Sequence, residues 1–196
     1  MNYLAHFHLA WPDDALLAGA LEGDYFKGPL PGSLPDILYP GVDLHRAVDG
    51  FTDRHPALDA LRAAFPDGTR RYAGILFDLG FDYLLSHHWE RFAEVELERF
   101  SQHVYEVLDD HSDTLSHPAR RMARRLAEYD LLMQYRHWDT VAAAAARIGE
   151  RMRKPNPLHR ADSLLKPLLP ELEQAFLVFY PELQDFCRQH AARNKD

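Results

Sequence analysis

One segment constrains this chain more than any other. From Thr69 to about Phe100 the residues are apolar around most of a helical circumference, with Ile75, Leu76, Phe77, Leu79, Phe81, Leu84, Leu85 and Trp89. A helix that is hydrophobic nearly all round has to be buried, so this segment is expected to be the central helix of the fold. No window elsewhere shows the strict apolar/polar alternation of a half-buried strand, whereas helical spacing recurs almost everywhere between the 13 prolines. The chain therefore reads as all-α. Its 196 residues suit a single compact helical domain covering 1–196, large enough to fold without disulfides or metal.

The expected elements follow from local signals. Asp13-Asp14 provides an N-cap for a helix that Gly23 can end. The stretch Lys27-Gly28-Pro29-Leu30-Pro31-Gly32-Ser33-Leu34-Pro35 is the longest irregular segment, a connector or a lid. A helix beginning near Val42 carries His45 to Asp53, and Pro56 starts the next one, Ala57 to Phe65. Pro118 to Met133 and His137 to Arg153 read as amphipathic helices. The last helical region, Leu164 to Arg193, is punctuated by Pro167, Pro170 and Pro181.

Charge narrows the function classes. With 22 Lys+Arg against 30 Asp+Glu the net charge is −8, which disfavours a nucleic-acid binder that works by phosphate neutralisation. No stretch approaches the length of a membrane span, and the amino-terminal residues lack a leader pattern, so a cytoplasmic protein is expected. The lone Cys187 reads as a buried thiol. Against this ordinary background stand 12 histidines. The P-loop, the dinucleotide fingerprint and the Gly-x-Ser-x-Gly elbow are all missing from the sequence.

Three constellations could carry chemistry. His45, Asp49 and Asp53 recur every four residues, which stacks one imidazole and two carboxylates on one helix face. Hard divalent cations accept such donors, although a solvated polar face has the same pattern. Asp78 and Asp82 are also four apart, but within the apolar central helix. Unpaired carboxylates there are costly, so they ask for a cation, strong donors or a salt-bridge network. On the same helix His88 lies about 80° from Asp78 while His87 is opposite, which makes His88 the better companion. His6 and His8 share one side of an extended segment but diverge by about 200° on a helix. Asp24 follows a helix end. His55, His87, His103, His111, His117, His137, His159 and His190 are assigned no role.

Several blocks in order, Met1 to Ala10, Gly23 to Gly28, His45 to Asp53 and Asp78 to Trp89, resemble the acyl carrier protein phosphodiesterase family, whose members look like divergent His-Asp metal phosphohydrolases. The resemblance implies an all-helical, His-Asp phosphohydrolase-like fold and a manganese-dependent hydrolase. The implied reaction removes the 4′-phosphopantetheine arm from holo acyl carrier protein to leave the apo form. It also implies Asp24, His45, Asp78 and Asp82 as metal ligands, His6, His8 and Asp49 completing or orienting them, and Arg46 and His88 facing the phosphate or leaving group. Where similar proteins often have histidine after the second central aspartate, this chain has Tyr83, so any role of that histidine lapses. Rival readings are a phosphohydrolase of nucleotides or other small phosphoesters and a non-catalytic helical interaction module.

A carrier protein is an acidic partner, and two acidic proteins repel over about 8 Å at physiological salt. A local basic surface is therefore expected at Arg70-Arg71, at Arg120-Arg121 with Arg124-Arg125, or at Arg151 to Lys154, with at least one bordering the metal cleft. The sequence does not settle an oligomeric state.

Overall fold

The computed structural model describes residues 1–26, 28–30 and 32–193. Among them there are helices and no strand: α1 (Tyr3–Ala10), α2 (Asp14–Gly23), α3 (Tyr39–Asp53), α4 (Asp59–Ala64), α5 (Ala73–His87), α6 (Trp89–Phe92), α7 (Leu97–Asp110), α8 (His117–Glu128), α9 (Leu131–Gln134), α10 (Trp138–Glu150), α11 (Ala161–Leu164) and α12 (Leu169–Arg193). The chain folds as one compact helical domain. None of these helices is long and apolar enough to cross a membrane.

The central segment is where expected, but it is not one helix. A 3₁₀ turn at Arg70–Tyr72 precedes α5, and α5 stops at His87. His88 leaves helical geometry at φ −104°, ψ 20°, and the chain then folds back because the Trp89 indole donates to the Val95 carbonyl at 2.7 Å. Helix α5 buries Leu76, Phe77, Leu79, Phe81, Leu84 and Leu85 against α1, α10 and α12. Phe81 meets Phe176 and Phe179 of α12 at ring separations of 5.6 and 5.4 Å. Gly80 lets α12 approach, since a Cβ there would stand 2.8 Å from Leu172.

Helices α2 and α3 form the closest pair. At their crossing Gly19 faces Gly41, and a Cβ on either would meet the other's Cα at 2.7 Å, so backbone lies against backbone. Helix α2 starts as its sequence indicates, with the Asp13 carboxylate accepting from the Leu16 amide at 3.0 Å. Helix α3 begins at Tyr39 instead of near Val42, since Pro40 fits the first turn of a helix. Asp130, in the left-handed region at φ 46°, splits the expected Pro118–Met133 helix into α8 and α9. Pro181 lies inside α12 without ending it. Two residues of the candidate lid, Lys27 and Pro31, lie outside the described residues.

Candidate metal centre

Most of the candidate side chains converge where α1, α3 and α5 meet the end of α2. Because α1 is helical, His6 and His8 point apart, and only His6 turns towards α3. Its ring stacks on that of His45, with centroids 3.8 Å apart and planes 9° from parallel. Both imidazoles are buried, and both present Nε2 to Asp49. His6 Nε2 is 3.2 Å from Asp49 Oδ1, and His45 Nε2 is 3.4 Å from Oδ2. Asp24 Oδ1 stands 3.8 Å from His45 Nε2. Nearly half of Asp49 and Asp24 is open to solvent, which makes this a site with a mouth.

The second interactions fix the ring chemistry. His45 Nδ1 donates to the Ala20 carbonyl at 2.8 Å, so Nε2 is the ring nitrogen turned to Asp49 and Asp24. Gly23 makes room for this ring, because a Cβ there would stand 2.5 Å from His45 Cγ. Burial, reinforced by the neighbouring His45, pushes His6 down to about 3, so its ring is neutral. His6 Nε2 is buried, and the Asp49 carboxylate is the polar group it faces. Burial would raise the Asp49 carboxyl, but His45, His6 and the Met1 amine hold it far below the ordinary carboxylate range.

The two carboxylates of α5 are satisfied by donors. Asp78 Oδ1 accepts from the Met1 amine at 2.8 Å, and the same amine is 3.5 Å from Asp49. Burial works against that ammonium, yet Asp78 and Asp49 outweigh it and raise the amine to about 10. Asp78 itself is shifted upward by burial, with the amine opposing. Asp82, fully buried, accepts from the Leu4 and Ala5 amides at 2.8 and 3.0 Å. It caps the first turn of α1 from another helix, since the Asn2 side chain does not cap it. Burial still pushes Asp82 up to about 7 against those two bonds. Asp24 is also shifted upward by burial, opposed by His45.

Two expected residues stand apart. His8 turns into the opposite side of α1, bonded to the Tyr180 hydroxyl at 2.7 Å and the Phe92 carbonyl at 3.0 Å. His88, the residue that ends α5, leaves the helical course that placed it beside Asp78 and pairs with Glu173 of α12 at 2.5 Å. Arg46 donates to the Phe26 carbonyl at 3.1 Å, which ties the segment after Asp24 to α3. Asp53 is exposed and does not join the cluster. The Met1 amine and the Tyr3 phenol, beside Asp24 and Tyr25, were not foreseen.

His6, His45 and Asp49 offer ligand atoms that all lie within 4.8 Å of one another. Two buried imidazoles that turn Nε2 to one carboxylate, one of them anchored at Nδ1 by a carbonyl, and that carboxylate held ionised fit a divalent cation that accepts imidazole and oxygen donors. The model for acyl carrier protein phosphodiesterase matches residues 1–183. The chain belongs to the acyl carrier protein phosphodiesterase family. An acyl carrier protein phosphodiesterase from Yersinia pestis is 31% identical over 93% of this chain and 95% of its own length. One from Escherichia coli O45:K1 is 29% identical over 97% of this chain and its entire length. One from Photorhabdus laumondii is 27% identical over all of this chain and 97% of its own length. No solved structure matches the chain.

Proposed function

We propose that this chain hydrolyses the phosphodiester joining the 4′-phosphopantetheine arm to holo acyl carrier protein, at a divalent cation held by His6, His45 and Asp49 with Asp24 beside them. The observation that carries the reading is the pair of stacked imidazoles presenting Nε2 to one ionised carboxylate in a member of this family. Such a cation, manganese on the family resemblance, would supply Lewis-acid polarisation of a phosphoryl oxygen and would lower the pKa of bound water from about 15.7 towards 7.

The chain's own residues do the rest. The Ala20 carbonyl anchors the His45 ring at Nδ1 and so turns Nε2 to the site. His6, neutral by burial, offers a lone pair without adding positive charge. The Met1 ammonium, fixed by Asp78, supplies a positive charge beside Asp49 and favours an anionic diester at the mouth. Arg46, by holding the Phe26 carbonyl, steadies the segment in which Asp24 sits.

The test is conversion of holo to apo carrier protein, followed by mass spectrometry with and without added Mn²⁺. Wild type is expected to convert it only with metal, and Asp49→Asn is expected to remain folded and lose both turnover and metal uptake. An Asp49→Asn protein working at the wild-type rate overturns the site. Faster turnover of a nucleotide panel than of holo carrier protein overturns the substrate.

A further inference from the structure

A cleft of about 750 Å³ lies between α8 with α9 and α10, and it reaches Asn2 and Tyr3. Tyr3 connects the cleft to the metal centre, because its phenol faces Asp24. The floor is apolar, with Leu79 of α5 buried and Met122, Leu131 and Ile148 half-buried around it. Above that floor stand Arg125 of α8, Arg147 of α10 and Arg151 just after it, all exposed. Arg147 and Arg151 are four residues apart and so share a face.

The charges here run against the rest of the molecule. The chain carries a net −8, yet none of these three arginines has an ion-pair partner among the described residues. Asp139 is the single acidic residue in the lining, so the cleft is positive by two charges. Of the arginines, only Arg62, Arg70 and Arg188 form ion pairs among the described residues, so what sets the cleft apart is three arginines converging around one apolar floor. Three free guanidinium groups around an apolar floor match a segment with carboxylates on its flanks and apolar side chains between them.

We propose that this cleft docks an acidic, amphipathic segment of the protein substrate and so presents its diester at the Tyr3 end, beside Asp24. The proposal rests on the carrier-protein reading of the preceding subsection. The arginines act as specificity determinants: they select and orient the protein without touching the reacting phosphorus. Rim charges of this kind govern encounter and salt dependence more than the chemical step.

The experiment compares wild type with a triple variant, Arg125→Glu, Arg147→Glu and Arg151→Glu, in the metal-loaded full chain. These side chains are exposed, so the unfolding midpoint is expected to be unchanged. KM for holo carrier protein is expected to rise at least tenfold with kcat within about twofold. The fall of kcat/KM with added salt, steep in wild type, should flatten. Hydrolysis of bis(p-nitrophenyl) phosphate, a diester without a protein, should be the same in both. Binding of apo carrier protein, followed by fluorescence anisotropy, separates this proposal from the one it rests on. A wild type that binds the carrier protein salt-dependently while cleaving nothing overturns the reaction and keeps the docking surface. A triple variant that binds as tightly as wild type at low salt overturns the docking surface whatever is cleaved. Pantetheine competing as strongly as the whole carrier protein also overturns it, because an uncharged arm has no use for three arginines.

Discussion

The two sides of α1 form a controlled comparison. His6 and His8 sit two residues apart on the same helix, and burial lowers both, to about 3 and about 4. Burial and a depressed pKa therefore do not separate them. Their partners do: both nitrogens of His8 are spoken for by neutral groups, the Tyr180 hydroxyl and the Phe92 carbonyl, whereas Nε2 of His6 faces the half-open Asp49 carboxylate at 3.2 Å. His8 also lies among aromatic rings, Trp89 at 5.1 Å and Phe100 at 6.3 Å. An imidazole enclosed by neutral partners belongs to the architecture, and one turned to a carboxylate that is open to solvent offers a ligand atom.

That comparison breaks most sharply at His6. His6→Ala is expected to lower turnover by more than the roughly 10–100-fold typical of losing an outer partner of a metal site, with metal affinity falling alongside, as read by titration with Mn²⁺. His8→Ala should do the reverse. It leaves the Tyr180 hydroxyl and the Phe92 carbonyl without partners and opens space among rings, so a loss of about 2–4 kcal/mol in unfolding free energy is expected, with turnover per folded molecule nearly unchanged. Equal activity losses in the two variants would erase the distinction.

Acid titration sharpens it further. Burial holds the folded pKa of His8 near 4, below the usual value of about 6.5 in an unfolded chain. Between those limits the unfolded state binds the extra proton, so this residue's share of stability is complete above pH ~6.5 and is lost as the pH falls towards 4. Asp82, raised to about 7, has the opposite sign, because in that window the folded state holds the proton. His8→Gln keeps an amide donor and acceptor but cannot titrate, and urea melts at pH 7 and pH 5 should differ less in it than in wild type. The smallest effect is expected at Arg71→Glu, which lies outside the arginine cleft. Its salt dependence with carrier protein should match wild type.

Much of the fold could be read from the pattern of apolar residues, because burial of α5 is written in its composition. The breaks were not legible where long-range contacts accompany them, as at His88, which pairs with Glu173 of α12. The α3 strip of His45 and Asp49 was visible because helical spacing alone brings them together. His6 joins them only through the packing of α1 on α3, a long-range fact with no local signal. The buried aspartates of α5 were rightly read as needing cations or donors, but the donors are backbone amides of α1 and the Met1 amine, which no side-chain motif announces. Arg147 was overlooked because it is not in a run of basic residues, and it meets Arg125 only across the cleft.

The glycine contact between α2 and α3 has a consequence for ion choice. Gly19 and Gly41 set the spacing of the two helices by main chain alone, and main-chain atoms, unlike side chains, have no alternative rotamers with which to yield. The crossing works as a caliper closed to its stop. His45 and Asp49 ride on one jaw, and the Ala20 carbonyl that clamps His45 rides on the other. If the proposed cation binds here, a larger or smaller radius would not be met by opening that jaw, and the adjustment would fall to Asp24, which lies just beyond the end of α2 with nearly half of its side chain open to solvent.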